Sequence, residues 1–432
     1  MAEPRRLTNW SGNYQFNAKR FHRPRTVEEV QQIVLRSKKL RVLGTGHSFN
    51  GIADCGEDMI SLEYMNQVLS IDHISSTVTV EAGIKYGDLA GYIHSKGYGL
   101  HNLASLPHTT VAGAIATGTH GSGDGNGNLA SVISGMQIVN GRGEVVNLDR
   151  VNTGDEFEGA VVSLGGLGVV TKLTIDLVPT YEVRQDVYQK LSLKAVEENF
   201  EKIFSSAYSV SLFTDWTTIT INQLWLKSKV EPEVKWVPAE PLKFSARLSK
   251  SDLHPIDGIS AVHCTLQTGI PGPWHERLPH FRMNFTPSNG DELQAEYLVP
   301  RQNAIAALRS IEGLKEELAP VLQICELRTI AADSLWMSPC YKQECLGIHF
   351  TLKPDWPWVS KVLPMVDEAL KPLQPRPHWG KVITMAPDRV GSLYSKLPEF
   401  RHLLESFDPE GKFRNRFLET YIFNGPIEIS KL

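Results

Sequence analysis

Two groups of residues in this chain have the types and spacing to do chemistry. The first is the turn Gly44-Thr45-Gly46-His47-Ser48, entered from the apolar, strand-like run Arg41-Val42-Leu43. Glycines carry no Cβ, so the backbone turns sharply and approaches a ligand closely. Amides exposed in such a turn bind phosphate oxygens. A neutral imidazole at its end is a nucleophile and can bond to an electrophilic cofactor. The second group lies in two alternating runs. In Cys325-Glu326-Leu327-Arg328-Thr329-Ile330, Glu326 and Arg328 share one strand face. In Gly347-Ile348-His349-Phe350-Thr351-Leu352, His349 and Thr351 do the same. Four hydrogen-bonding side chains on neighbouring strands suit a ligand rich in hydroxyls, such as a polyol, because each hydroxyl needs a partner once desolvated. Taken alone, each group has a bland reading: a glycine turn with a surface histidine, a Glu–Arg salt bridge on an exposed face, a structural histidine.

The elements that must position these groups are partly legible. Thr26-Val27-Glu28-Glu29 reads as a capping box, Thr26 as N-cap and Glu29 reaching back. Val27, Val30, Ile33 and Val34 follow at helical spacing. The first unit is thus helix, short strand, glycine turn. Strands are expected over Ser76–Ala82, Val145–Leu148, Gly168–Leu177 and Ser209–Phe213, and helices over Tyr86–His94 and Asn303–Leu318. The stretch from Leu103 to Gly127 is rich in glycine and small residues and almost free of charge. It can lie flat against a large ligand and hold diphosphate charge through backbone dipoles. It has no Rossmann Gly-x-Gly-x-x-Gly and no P-loop lysine. Together with the Gly44 turn it favours a dinucleotide site. Glycines thin out and tryptophans accumulate after about residue 180, where a domain boundary is expected. The following region reads as α+β on an antiparallel sheet, with proline-rich loops between 230 and 290 crossing the surface or the site.

The net charge of -4 and the lack of a basic run give no reason to expect nucleic acid or an anionic membrane as partner. No stretch approaches the roughly 20 apolar residues of a membrane span, and the N-terminal residues lack the apolar core of a signal peptide. Five scattered cysteines fit reduced thiols in a cytoplasm. Cys340 and Cys345 lack a structural zinc spacing, and no metal is expected.

The Gly44–Ser48 turn, the run Ala116-Thr117-Gly118-Thr119-His120-Gly121 and Gly168-Val169-Val170-Thr171 resemble the FAD domain of the vanillyl-alcohol oxidase flavoprotein superfamily. Within it the chain resembles the alditol (xylitol, sorbitol) oxidases, a branch related to the aldonolactone oxidases, over almost its whole length. Ser209 to Trp216, Pro271 to Phe281 and His378-Trp379-Gly380-Lys381 share that resemblance. It implies a two-domain α+β fold. Residues 1–180 would bind FAD, 181–375 would form an antiparallel-sheet substrate domain, and 376–432 would return to the FAD domain. It implies FAD contacts from Arg41, Val42, Leu43, Gly44, Thr45, Gly46, His47, Ser48, Ala104, Ser105, Gly113, Ala116, Thr117, Gly118, Thr119, His120, Gly121, Ser122, Val169, Val170 and His378. His47 would carry the flavin covalently through its 8α-methyl group. Ala104 matches the small residue that controls dioxygen access to the flavin C4a. Ser105, Glu326, Arg328, His349, Thr351 and Lys381 would line the substrate pocket, with Glu326, Arg328, His349 and Lys381 catalytic. The implied reaction is oxidation of a polyol's C1 hydroxyl to the aldose, with dioxygen reduced to hydrogen peroxide, in a cytoplasmic monomer. An aldonolactone oxidase or dehydrogenase is the alternative. The residues leave open which group takes the hydroxyl proton.

Overall fold

Thr26 caps the first helix, Val27–Arg36, with its hydroxyl accepting the Glu29 N–H at 3.2 Å. The reciprocal half of the box is displaced by one residue: the Glu29 carboxylate accepts the Arg25 N–H at 2.7 Å. Val30, Ile33 and Val34 are buried, as their spacing demands. The helix leads into a strand, Leu40–Val42, which runs parallel to Asp58–Ile60, itself parallel to Arg20–His22. The glycine turn leaves the end of this small parallel sheet.

A second, antiparallel sheet follows in the order Val68–Asp72, Thr77–Glu81, Val169–Asp176, Ile133–Val139, Val145–Asp149. Its middle strand alternates strictly between buried and half-buried residues, the signature of one packed face. The expected helix at Tyr86 runs to Ser95. The glycine-rich stretch contains a short helix, Val111–Ala116, that the small residues did not announce.

The third sheet is larger and antiparallel. Its path runs Leu242–Lys243, Ala246–Leu248, Glu182–Ser192, Thr220–Val230, Ser209–Thr214, Leu322–Ile330, Cys345–Leu352, Leu293–Pro300, Arg376–Pro377. The sequence expectation of an α+β fold with an antiparallel substrate sheet is met. Helices Leu193–Phe204, Ala304–Glu312 and Trp356–Leu370 bury apolar residues in the same core as this sheet. The single helix expected over Asn303–Leu318 is two, Ala304–Glu312 and Lys315–Leu318. Gly313 sits at the break, where its conformational freedom disfavours continuing the helix.

The C-terminal residues pack back onto the first sheet. Leu40 N–H donates to the Lys412 carbonyl, and the Asn415 amide donates to the carbonyls of Gly51, Ile52 and Asp54. The computed structural model describes residues 7–230, 239–240, 242–283, 285 and 292–425. Part of the proline-rich 230–290 stretch therefore lies outside the described residues. Among the described residues no helix is long and apolar enough to cross a membrane.

Candidate active site

One cavity of about 580 Å³ runs from the glycine turn of the first sheet to the strand faces of the third. At its first end, Gly46 adopts φ +70°, a conformation only glycine takes freely. A Cβ on Gly44 would meet the Thr110 side-chain Oγ1 at 2.5 Å, so the turn packs closely on the Thr110 segment. Among the described residues, the consecutive N–H groups of Gly44 to Ser48 have no acceptor within the protein. Thr109 Oγ1 and Trp10 Nε1, also on the cavity wall, have none either. A run of unpaired donors beside a cavity without a lysine or arginine in the turn suits a diphosphate. His47 follows directly. Its ring stacks on Trp10, centroids 5.4 Å apart, and its Nδ1 lies 2.9 Å from Thr45 Oγ1. Burial, then the Lys381 ammonium, pushes its pKa down to about 4, which keeps the imidazole neutral.

At the other end, strand register does what alternation alone implies. Leu322–Ile330 and Cys345–Leu352 are antiparallel neighbours, with Glu326 opposite His349 and Ile324 opposite Thr351. The next strand, Leu293–Pro300, sets Glu296 opposite His349 and Gln294 opposite Thr351. Glu296 becomes the hub. Its Oε1 lies 2.8 Å from an Arg328 NH2 and 3.2 Å from His120 Nε2, and its Oε2 lies 3.4 Å from His349 Nδ1. Arg328 reaches across to Ser105 Oγ at 3.4 Å and to Glu326 Oε1 at 3.6 Å. His280 Nε2 holds the same Glu326 oxygen at 2.7 Å. Lys381 Nζ donates to Gln294 Oε1.

The electrostatics follow from that crowding. Burial opposes ionisation of Glu296 and Glu326, but it is outweighed by His120 and Arg328 at Glu296, and by Arg328 and His280 at Glu326. Both carboxyls stay well below the usual carboxylate range. Burial lowers Arg328 too, but Glu326 and Glu296 outweigh it and raise the guanidinium. His349 is lowered by burial, with Glu296 opposing. Lys381 is pushed down to about 8, by burial first, with Glu296 opposing and Arg328 assisting.

Of the residues singled out in the sequence, Arg41 to Ser48, Ala104, Ser105, Gly113, Ala116, Thr117, Thr119, His120, Glu326, Arg328, His349, Thr351, His378 and Lys381 line this one cavity. Arg41 does so as a clamp. Its guanidinium turns inward to the carbonyls of Gly165, Phe413, Ile52 and Leu164, so it braces the turn rather than offering charge to a ligand. Five residues expected at the cofactor do not line the cavity. Gly118 turns at φ +66° against Pro339, and Gly121 packs on the Leu103 carbonyl. Ser122 Oγ is spent on Ser209 Oγ at 2.6 Å. Val169 and Val170 are committed to sheet pairing with Val139 and Ile138.

Sequence reasoning missed Glu296, Gln294, His280 and Lys227. The alternation Leu293-Gln294-Ala295-Glu296-Tyr297 carried the same polar-pair signal as the two strands it did read. His120, Glu296 and His378 are close enough to ligate a metal ion. However, His378 Nδ1 accepts the Gly380 N–H, so a neutral ring carries its proton on Nε2 and has no free lone pair. His120 Nδ1 donates to the Gly121 carbonyl, which turns Nε2 to Glu296. The trio reads as a packed polar cluster around the Glu296 carboxylate.

Comparison with known proteins agrees with this geometry. Residues 18–149 match the FAD binding domain family, and residues 287–421 match the D-arabinono-1,4-lactone oxidase family. The chain is 45% identical to an alditol oxidase of a Streptomyces species, across 96% of this chain and 99% of that one. It is 25% identical to an L-gulonolactone oxidase of Scyliorhinus torazame, across 96% and 98%. The solved cholesterol oxidase of B. sterolicum shares the fold, with a TM-score of 0.75 at 14% identity over 96% of both chains. A full-length relative at that identity, together with an FAD binding domain over the glycine turn, makes this chain a member of the alditol oxidase family, in the aldonolactone oxidase-like branch of the vanillyl-alcohol oxidase superfamily of FAD proteins.

Proposed function

We propose that the protein is an FAD-dependent alditol oxidase. It oxidises the terminal C1 hydroxyl of a polyol such as xylitol or sorbitol to the aldose and reduces dioxygen to hydrogen peroxide. The observation that carries this reading is the one cavity joining five turn amides that have no acceptor among the described residues, and a neutral histidine, to a cluster of buried carboxylates and cations. Residues 1–180 hold the cofactor, 181–375 the substrate, and 376–432 complete the first unit.

Bound FAD supplies the two-electron acceptor for the hydride from C1 and the reductant for dioxygen. The protein's own groups do the rest. The Gly44–Ser48 amides bind diphosphate oxygens, and His47, neutral because of its depressed pKa, is the covalent anchor. Ala104, small and on the cavity wall, would leave room for dioxygen to reach the cofactor. Ser105, Glu326, Arg328 and Thr351 partner the polyol hydroxyls. Arg328 and Lys381 are cations that stabilise negative charge developing on the C1 oxygen. Glu296 faces His349 Nδ1 and favours the proton there, which leaves the Nε2 lone pair, 3.4 Å from Thr351 Oγ1, to take the hydroxyl proton. Five free cysteines fit a reducing cytoplasm, and a monomer contains every group named.

A peroxide assay over polyols of three to six carbons and the corresponding lactones tests the reading. Turnover of xylitol or sorbitol with a flavin that stays with acid-precipitated protein supports it. The match of residues 287–421 to the D-arabinono-1,4-lactone oxidase family favours a second reading as a lactone oxidase or dehydrogenase. Preferred turnover of a lactone, or a reduced flavin that air does not reoxidise, would select that one.

A further inference from the structure

Behind the polar strand face lies a lysine with no water to meet. Lys227, on the Thr220–Val230 strand, is 1% exposed. Its Nζ donates to the carbonyls of Arg277 at 2.9 Å, Leu278 at 2.5 Å and Pro279 at 3.1 Å, and lies 3.2 Å from His280 Nδ1. The ammonium has three N–H groups for these four neighbours, so they are shared, and a ring nitrogen facing this donor turns its lone pair to it. His280 Nε2 then carries the ring proton and donates it to Glu326 Oε1 at 2.7 Å. The opposite tautomer would aim a lone pair at an ionised carboxylate. Phe213 and Trp225 set their ring planes steeply against His280, at 70° and 71°, and hold its orientation. Among the described residues, Glu326 Oε2 has no protein hydrogen-bond partner, and Glu326 lines the cavity.

We infer that Lys227 and His280 are positioning residues for substrate recognition: they fix the tautomer of His280 and the rotation of the Glu326 carboxylate, so that Oε1 is occupied and Oε2 is presented to a polyol hydroxyl. Burial supports the neutral ring, pushing His280 down to about 4 with Glu326 opposing and Lys227 assisting. The line ends at backbone carbonyls in the core, so it orients Glu326 and does not conduct protons away from it.

The inference rests on the alditol reading for the polyol hydroxyl and for xylitol as probe, while the tautomer and the carboxylate rotation stand on the geometry. His280→Leu removes the donor, and His280→Gln restores an amide N–H near the same point. In the holoenzyme, His280→Leu raises KM for xylitol about tenfold, just under the range of a hydrogen bond to a charged group because the contact is lost indirectly, with kcat within about threefold. His280→Gln returns KM to within about threefold of the parent. A KM unchanged in His280→Leu, a loss confined to kcat, or no rescue by glutamine in a folded, flavin-loaded protein overturns the inference. Neutron diffraction of the unmodified holoenzyme gives a second measurement that needs no variant. Deuterium on Nε2 alone supports the assignment; deuterium on Nδ1 refutes it. A parent enzyme inactive on polyols would defeat the functional reading and leave the diffraction result standing.

Discussion

Glu296→Gln is the substitution that most directly tests how the cavity is organised. It preserves volume and removes one buried charge. Arg328 makes one charge-assisted contact of normal length, 2.8 Å to Glu296; its approaches to Ser105 and Glu326 are 3.4 and 3.6 Å. The amide can accept from the guanidinium, but it no longer balances it. A hydrogen bond between ionised partners contributes about 1.5–3 kcal/mol, and the upper part of that range applies because Glu296 is buried. At about 1.36 kcal/mol per decade, a loss of about 2–3 kcal/mol lowers kcat/KM roughly 30- to 160-fold. His349 loses the carboxylate facing Nδ1 as well, so the loss appears in kcat and not in KM alone. The assay is xylitol-dependent peroxide formation at saturating oxygen, with flavin content measured by absorbance and folding by thermal melting. A folded, fully flavinated Glu296→Gln enzyme with kcat/KM within about threefold of the parent would refute the view that Glu296 organises Arg328 and His349.

His47→Ala should leave a protein whose flavin is released into the supernatant on acid precipitation; a yellow pellet would exclude this histidine as the tether. Lys381 carries its charge below a pKa of about 8 and loses it above. A role as cation therefore predicts that kcat/KM falls as pH rises through about 8, and that Lys381→Arg, which stays charged, moves this basic limb upward; coincident limbs in parent and variant would assign it to another group. A Cβ on Gly83 would lie 1.9 Å from the Leu62 carbonyl oxygen and 2.7 Å from that of Met65, both backbone atoms. Gly83→Ala should destabilise the protein by at least about 1–3 kcal/mol, read as a lowered melting temperature, and an unchanged melting curve would contradict that packing.

What the sequence made legible follows from the range of the interactions involved. The Thr26 cap, the glycine turn and the alternation at Glu326–Arg328 and His349–Thr351 are set by neighbours within four residues, and the fold keeps them. The helix over Asn303–Leu318 failed at Gly313 because apolar spacing outran a local break. Val169 and Val170 lie on a strand as their pattern requires, but the resemblance also set them at the cofactor, and their sheet pairing keeps them off the cavity wall. Glu296 carries the right local pattern, but its meaning comes from register, since only pairing with Cys345–Leu352 sets it opposite His349.

Lys227 was out of reach for a different reason. It shares a strand face with Gln223 and Trp225, and a lysine in such a pattern reads as solvated. Here the chain from Arg277 to His280 covers that face, and the carbonyls of Arg277, Leu278 and Pro279 accept from the ammonium. No local pattern says whether a distant loop will cover a sheet face, so burial of this charge is a property of the tertiary structure alone. Two ionised carboxylates, Glu296 and Glu326, then stand among Arg328, Lys381 and Lys227. With Arg328 held by Glu296 and His280 fixing Glu326, the carboxylates neutralise the interior side of the cluster, and Lys381 keeps its charge on the cavity wall. A developing alkoxide meets a cation there whose charge the carboxylates behind it offset, which suits stabilisation of such an anion in a low-dielectric site.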